Sequence, residues 1–387
     1  MTVPGELIIN LNQHQNRVDS SISSSRPTHA ARLFTGKSIE QTIQTLPLLF
    51  SICGKAQTIT AVRAIESAQQ RPATDAIESH RQALVTLESL REHSLHILKD
   101  WPIFINEEVR YSDISTISSD FNTIFWSIDF KQLLNSRLKS KDITSEQKRI
   151  WQRYKENLIK LIFADSQVDW NPSTLEQIDD WAEKQQTTAG RLIYWLQQQP
   201  WQHAGSSTIS LLPDIDQAQL ITRLCNKQEN FVAQPDWQSQ CYESSWLNQQ
   251  QHQPLVSQAI AQFGNGIYTR LIARLITVAE LIKQLDIFFT DQQHLNSPIS
   301  KQTGLAHIDA ARGRLTHYVE LEADTIIDLH ILAPTEWNFH PQGVAAHSLR
   351  SLDNSDVDLL RLQADLLIHA IDPCVGYQLH INNEVTH

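Results

Sequence analysis

The spacing of apolar residues predicts a chain built mostly from helices. Between residues 254 and 287 an apolar side chain recurs at every third or fourth position, as in a helix that lines a core. The same period predicts helices over residues 55–70, 75–101, 143–166, 174–198 and 355–371. We find no internal repeat that would indicate a solenoid or an array.

Two of these helices carry recognisable end signals. Ser38 is followed three residues later by Gln41, a capping-box pattern that starts a helix, and Pro47 should end or kink that helix. The last helix should stop near Asp372, because the residue before Pro373 avoids helical backbone geometry.

Alternating apolar and polar residues predict two β-hairpins. Leu7, Ile9 and Leu11 alternate with more polar neighbours at the N-terminus, and residues 314–332 alternate on both sides of a predicted turn. The Gln- and Ser-rich stretches 203–212 and 226–252 favour surface loops. We therefore predict an α+β fold, predominantly helical, in a single domain over residues 1–387.

Charge and hydropathy exclude several classes of partner. The formal net charge of −11 is unfavourable for binding nucleic acid, because phosphates would be repelled. The longest apolar runs fall far short of the roughly 20 residues that a spanning helix needs. The N-terminus carries no export signal and the chain has no run of basic residues. A cytoplasmic protein without a membrane partner is expected.

Two of the four cysteines stand where a metal could bind. Cys53 is placed at the start of a helix, where unpaired backbone N–H groups and the helix dipole would favour a thiolate. Cys374 follows the last helix, and His380 comes six residues later. Each alone is as well explained by a buried thiol. Cys225 and Cys241 have no partner residues at ligand spacing, so a structural role is expected for both.

The second hairpin places a possible anion site at its open end. Arg312 precedes the first strand, while Pro334 and Thr335 follow the second, so the two ends should lie near each other. A guanidinium and a hydroxyl are suitable donors for a small anionic ligand. An ordinary turn with a surface arginine is the simpler alternative.

In their order along the chain, these segments resemble the large subunit of nickel–iron hydrogenases. That family carries R-I-C-G-x-C-x-x-x-H near its N-terminus, E-A-P-R-G-x-L-x-H and P-T-x-W-N in its second half, and D-P-C-x-x-C-x-x-H near its C-terminus. The two middle motifs are recognisable here in residues 309–317 and 334–338. The resemblance covers nearly the whole chain, although residues 100–250 match only in kind.

The end motifs depart from the family pattern at the metal ligands. Near the N-terminus Ser51, Ala56 and Thr60 replace the arginine, the second cysteine and the histidine. Near the C-terminus Tyr377 replaces the second cysteine. The family binds nickel through four thiolates, two of which bridge to iron, so the usual binuclear centre is not expected here. We expect no nickel and no hydrogenase activity.

This pattern of kept and lost motif residues most resembles the HupK/HoxV-type accessory factors of hydrogenase assembly. It implies a scaffold for the Fe(CN)2CO fragment, with Cys53 and Cys374 as thiolate ligands and His380 as a further candidate. Arg312 and Thr335, with the adjoining Pro334, would contact the cyanides. The implied partners are the hydrogenase large-subunit precursor and other maturation factors.

Three other interpretations stay open at this point. The chain could be a degenerate large-subunit-like component of a redox complex, although relatives in quinone-reducing complexes have lost the metal cysteines entirely. It could also act purely through protein contacts and bind no metal. A zinc site formed by Cys53, Cys374 and His380 would be unusual with so few ligands.

Overall fold

The computed structural model describes residues 5–14, 17–50, 52–134, 142–164, 170–226, 230–291, 294–295 and 303–383. The chain folds into two units, each assembled from separate stretches of sequence. The first unit contains Met1–Lys37, Gln199–Ala273 and Arg312–His387, and the second contains Ser38–Gln198 and Arg274–Ala311. The single domain inferred from the sequence stays a prediction.

The helices dominate, as the apolar spacing predicted. They are α1 (Ile39–Leu49), α2 (Gly54–Ala68), α3 (Asp75–Leu95), α4 (Trp101–Phe104), α5 (Tyr111–Ser127), α6 (Phe130–Leu133), α7 (Ser145–Phe163), α8 (Leu175–Glu183), α9 (Thr188–Gln197), α10 (Gln217–Cys225), α11 (Trp246–Gln250), α12 (Pro254–Phe263), α13 (Ile267–Asp286), α14 (Pro334–Asn338), α15 (Val344–Arg350) and α16 (Val357–Ile371). Among the residues described, none of these helices is long and apolar enough to cross a lipid bilayer.

Eight described strands complete the two units. They are β1 (Leu7–Gln13), β2 (Val18–Ser24), β3 (Ser210–Leu211), β4 (Tyr242–Glu243), β5 (Leu305–Ala310), β6 (Gly313–Glu322), β7 (Thr325–Leu332) and β8 (Tyr377–Asn383). The predicted α+β class with its two hairpins is therefore confirmed. Short β3 and β4 pair in parallel, Ser210 opposite Tyr242.

The N-terminal hairpin is one half of a three-stranded sheet. Strands β1 and β2 pair antiparallel, and β1 also pairs in parallel with β8, so that Leu7 lies opposite Tyr377. Leu7, Ile9 and Leu11 point into the core, with exposures of 1% or less. The sequence analysis missed β8, although Tyr377, Leu379 and Ile381 alternate with polar residues as a strand requires.

The second hairpin carries the candidate site at its open end. Strands β6 and β7 pair antiparallel, with Thr316 opposite Leu332. The tight turn joins them at Ala323, whose φ is +52°. Both strands bury one face, so packing of the hairpin restrains the residues before β6 and after β7.

The region predicted as one long helix over 254–287 is two helices, and that prediction was wrong. Gly264, with φ +75°, ends α12, and the hydroxyl of Thr269 in α13 donates to the Gly264 carbonyl at 2.6 Å. Only glycine adopts this backbone freely, so the apolar period continues across a break in the backbone. Residues 174–198 divide similarly, because Thr187 caps a new helix by accepting from the Gly190 N–H group at 3.1 Å.

Two further local predictions needed correction. Helix α1 begins with the predicted Ser38 and Gln41 capping box, but it continues two residues beyond Pro47 to Leu49. A proline in the last turn removes few helical hydrogen bonds, which limits its cost. Residues 242–247 are buried rather than a surface loop, since Glu243 forms an ion pair with Arg270 inside the first unit.

Helices α2 and α3 of the second unit are joined by a buried ion pair. Arg81 of α3 is fully buried and donates to both carboxylate oxygens of Glu66 in α2, at 2.7 and 2.8 Å. Bidentate geometry of this kind fixes orientation as well as distance. The pair therefore sets the register of α3 against α2, the helix that begins directly after Cys53.

Candidate functional site

In the first unit, the thiol of Cys374 lies against the hydroxyl of Thr335. The Thr335 Oγ1 donates to the Cys374 Sγ at 3.2 Å, and the same oxygen accepts from the Cys374 backbone N–H at 3.4 Å. Thr335 is 2% exposed, whereas Cys374 is half-buried. The hydroxyl thus holds both the sulfur and the backbone of the cysteine in place.

The end of α16 directs the chain into this contact. Asp372 caps the helix with φ +64° and its backbone N–H donates to the Ile368 carbonyl at 2.7 Å. This left-handed residue, followed by Pro373, stops the helix where the sequence predicted. The turn brings Cys374 out of the helix axis and next to Thr335.

Two residues before Cys374, Asp372 forms a buried ion pair with Arg312. The Arg312 Nε donates to the Asp372 Oδ1 at 3.2 Å, and the two residues are 7% and 2% exposed. A paired charge tolerates burial that an isolated charge would not. The sequence analysis matched Asp372 to a family motif but gave it no contact, and here it fixes the arginine.

The two ends of the second hairpin meet, as predicted. A Cβ on Gly313 would lie 3.0 Å from the Pro334 Cβ and 2.0 Å from the Ser244 carbonyl oxygen, so only glycine fits here. Asn338 binds the backbone of Ser244 twice, accepting from its N–H and donating to its carbonyl, both at 2.8 Å. These contacts between β6, α14 and the residue after β4 therefore hold Arg312 and Thr335 in place.

His317, which the middle motif shares with the family, lies in this hairpin. It is fully buried in β6, and burial lowers its pKa to about 3. The imidazole therefore stays neutral at physiological pH. A neutral buried histidine supports the packing beneath Arg312.

Tyr377 and His380 end the C-terminal motif on strand β8. The Tyr377 hydroxyl, at the position of the family's second cysteine, donates to the Asp365 Oδ1 at 3.0 Å. His380 is exposed and lies opposite Asn10 in the parallel register. A strand rises about 3.3 Å per residue, so His380 lies on the order of 10 Å along it from Tyr377. Metal binding by His380 stays a prediction.

In the second unit, Cys53 precedes α2, but the surroundings differ from those predicted. The Glu88 carboxylate in α3 accepts from the backbone N–H groups of Lys55 and Ala56, each at 2.9 Å. The expectation of unpaired N–H groups was therefore wrong for these two. Burial raises the pKa of Glu88 to about 7. The Gln57 Nε2 lies 3.8 Å from the Cys53 Sγ.

Other positions of the N-terminal motif have become core. Ala56 and Thr60 are 1% and 0% exposed, and the Thr60 hydroxyl donates back to the Ala56 carbonyl at 2.6 Å. Neither side chain offers a metal ligand in this arrangement. Ser51, at the position of the family's arginine, lies outside the described residues.

Cys53 and Cys374 belong to different units. The approach of their sulfurs stays a prediction. The sequence analysis also missed Glu88, which stands 33 residues from Lys55. The residues one turn from Glu88 on α3 include Leu84 and Val85 but also Arg91 and Glu92, so no local pattern distinguished it.

A family model described as nickel-dependent hydrogenase matches residues 222–380. The hydrogenase expression/formation protein HoxV of Cupriavidus necator is 27% identical over 92% of this chain and 91% of its own length. HupK proteins of Bradyrhizobium diazoefficiens and Azotobacter vinelandii are each 26% identical, over 92% and 94% of this chain and 90% and 94% of their own. The chain is therefore similar to these HoxV and HupK proteins along nearly its whole length.

Two solved hydrogenase structures share the fold of this chain. A nickel–iron–selenium hydrogenase from Desulfomicrobium baculatum aligns with a TM-score of 0.57 over 93% of this chain and 94% of its own, at 12% identity. An NAD+-reducing nickel–iron hydrogenase aligns with a TM-score of 0.56 over 92% of each chain, at 14% identity. The chain has the fold of a nickel–iron hydrogenase large subunit with degenerate metal motifs.

Proposed function

We propose that this protein is a hydrogenase maturation factor that holds the Fe(CN)2CO fragment as cargo before delivery to a hydrogenase large subunit. The observation that carries the proposal is the contact of Thr335 with Cys374 beside the buried Arg312–Asp372 pair. A soft thiolate, a hydroxyl and a guanidinium are grouped within one unit. The similar HoxV and HupK proteins are hydrogenase expression/formation proteins, which supports the broader maturation role.

The donor set suits an iron fragment that carries cyanide ligands. A thiolate is a suitable ligand for low-spin iron, and cyanide nitrogens accept hydrogen bonds. The Thr335 hydroxyl now donates to the sulfur, and a hydroxyl can rotate to another acceptor when the sulfur lone pair is used. Asp372 accepts a hydrogen bond from the Arg312 Nε and so holds the guanidinium, a group suited to binding anionic ligands, in a fixed position.

The same residues fit nickel poorly. The positions of the two bridging thiolates hold Ala56, which cannot coordinate, and Tyr377, whose hydroxyl is bonded to Asp365. Nickel in this family needs a full set of soft ligands. A carrier for the iron fragment alone, without hydrogen turnover, is the function that this ligand set supports.

Infrared spectroscopy tests the proposal directly. Full-length protein would be co-produced with the machinery that makes the cyanide and CO ligands, purified without oxygen, and measured in the CO and CN stretching region. We expect bands that disappear in Cys374→Ala, while Cys225→Ala, a thiol on α10 in the same unit, retains them. Bands absent from the unsubstituted protein, or unchanged in Cys374→Ala, would reject the iron-carrier role and leave the interaction-only alternative.

A further inference from the structure

Strand β7 has an outer edge, on the side away from β6, that is covered at one end. Ile326 donates its backbone N–H to the Lys37 carbonyl at 2.9 Å and accepts from the Gly36 N–H at 2.8 Å. In the described residues, this pairing with Gly36 and Lys37 goes no further along β7. The chain itself therefore adds a short strand-like segment to the start of this edge and leaves the rest open.

The outer edge is open beside Leu329 and Ile331. The Leu329 N–H donates to the Asp328 Oδ1 at 2.9 Å, so this amide faces away from β6. Backbone groups of residues two apart on a strand point to the same side, so the N–H and carbonyl of Ile331 face this way too. Among the described residues, no backbone group pairs with either residue on this side. Such an edge is a template for pairing with another extended segment.

A groove of about 510 Å³ follows this edge. Residues 327–331 of β7 line it together with residues on the segments around Arg32 and Phe231, and all of them belong to the first unit. The volume lies in the range of about 300–1,000 Å³ that ligand sites occupy. Because five successive residues of one strand line the groove, an extended polypeptide is the ligand shape that matches it.

The charge of the groove differs from that of the whole chain. The chain carries a formal charge of −11, yet Arg32 and Arg223 line the groove, and Asp328 is the one carboxylate among its described lining residues. Asp328 lies 3.2 Å from His330. Arg223 is held by Asp236 at 2.6 Å, so the exposed Arg32 is the cation most open to a ligand. Acidic side chains on the ligand are therefore complementary to the groove.

We propose that the outer edge of β7 binds an extended, acidic segment of a partner polypeptide as an added strand. Ile331 offers an N–H and a carbonyl, and Leu329 offers a carbonyl, with which a partner backbone can pair. The Leu329 N–H exchanges the Asp328 carboxylate for a carbonyl of the partner, and Asp328 keeps His330 at 3.2 Å. The exchange therefore leaves no buried donor without an acceptor. Asp328 also limits unspecific pairing, since a charge on an edge strand opposes it.

The groove adjoins a second cavity that extends to the candidate site. This cavity, of about 290 Å³, is lined by Thr335, and Thr28 and Asn230 line both spaces. A strand bound to β7 therefore lies next to the space beside Thr335. That the partner supplies or receives the iron cargo rests on the proposed function, but binding of the strand itself needs no cargo.

Fluorescence anisotropy with the full-length protein tests the strand addition. The probe is a fluorescein-labelled peptide of four Val-Glu repeats, whose valine amides face one side of a strand and whose glutamate amides face the other. We expect saturable binding of one peptide per chain, weakened at least tenfold by N-methylation of one set of amides and unchanged by N-methylation of the other. A peptide of four Val-Lys repeats should bind at least tenfold more weakly. Absence of saturable binding, equal effects of the two N-methylations, or equal binding of the lysine peptide overturns the proposal.

Two variants test whether the probe binds at β7. Ile331→Pro removes an N–H that β6 does not use, which an edge strand tolerates, and should weaken binding at least tenfold. Arg32→Ala should weaken binding at least threefold, whereas Arg361→Ala, at an exposed position of α16 in the same unit, should leave the affinity unchanged. Circular dichroism checks that each variant folds; if the proline variant does not, the comparison of the two alanine variants decides.

Equal effects of Arg32→Ala and Arg361→Ala contradict the assigned groove. The infrared experiment answers a separate question, because none of these variants alters the candidate cargo site. Infrared bands without peptide binding would leave the iron carrier intact and reject the docking edge, and peptide binding without infrared bands would do the reverse.

Discussion

The segments around Cys374 and Cys53 occupy matching places in the two end motifs, but their polar surroundings differ. The sulfur of Cys374 receives a hydrogen bond from Thr335, and Asp372, two residues before it, holds a buried guanidinium. The amides that follow Cys53 are already bonded to Glu88. One segment keeps donors suited to an anionic ligand, whereas the other has satisfied its donors internally.

The difference ranks the two cysteines as candidate ligands of the proposed iron fragment. The two candidate cyanide donors, Arg312 and Thr335, belong to the first unit, whereas in the second unit Ala56 and Thr60, at positions of lost ligands, have become core. For the proposed function we therefore expect Cys374 to contribute more than Cys53. In the infrared experiment, Cys53→Ala should therefore weaken the bands less than Cys374→Ala.

Removing the buried arginine should have the largest effect. Arg312→Met leaves Asp372 as a buried charge without its partner at 3.2 Å, and breaking such a pair costs about 3–5 kcal/mol. Urea denaturation at pH 7.5, followed by circular dichroism, measures the free energy of unfolding. The loss should be accompanied by faster alkylation of Cys374, because Asp372 and Cys374 share one turn.

Arg314→Met is the matched control for this variant. Arg314 lies two residues further along β6 and is partly exposed. A surface substitution of this kind changes stability by about 0.5 kcal/mol or less. Equal effects of the two substitutions would show that the ion pair contributes nothing particular to the Cys374 region.

Whether the features of these two regions could be predicted from the sequence depends on how far apart the contacting residues lie along the chain. The stop of α16 at Asp372 and the meeting of the hairpin ends follow from local signals, so the Cys374 region was predicted well. Glu88 reaches α2 from another helix, and β8 pairs with β1 across 370 residues. Patterns within a short window carry no information on such pairings. The glycine break at Gly264 was hidden because the apolar period continued through it.

Glu88→Ala tests what holds the segment around Cys53 at the start of α2. This change leaves the Lys55 and Ala56 N–H groups without their carboxylate acceptor and should cost about 2 kcal/mol at pH 5.5. Burial raises the pKa of Glu88 to about 7, above the unfolded value. Its stabilising contribution is therefore present at low pH and lost as pH rises through 7, so the variant's deficit should shrink at pH 8.5.

Urea denaturation at both pH values, with alkylation of Cys53, checks this expectation. Asp75→Ala, at the exposed start of α3, is the control for loss of a carboxylate from the same helix. A deficit that grows between pH 5.5 and 8.5 would contradict the assignment. Unchanged Cys53 alkylation would show that Glu88 does not shape the start of α2.

The smallest expected effect comes from a substitution that removes the hydroxyl of Thr335 but keeps the shape of its side chain. Thr335→Val keeps the branched side chain but removes the oxygen that binds both the Sγ and the N–H of Cys374. Since Cys374 is half-buried, water can reach the released N–H, and the cost should be about 1 kcal/mol. The thiol should then react faster with iodoacetamide, whereas Thr335→Ser, which retains the hydroxyl, should keep the original rate. If the valine and serine variants react alike, the hydrogen bond does not hold the sulfur. The Thr335 hydroxyl would then no longer distinguish the region of Cys374 from that of Cys53.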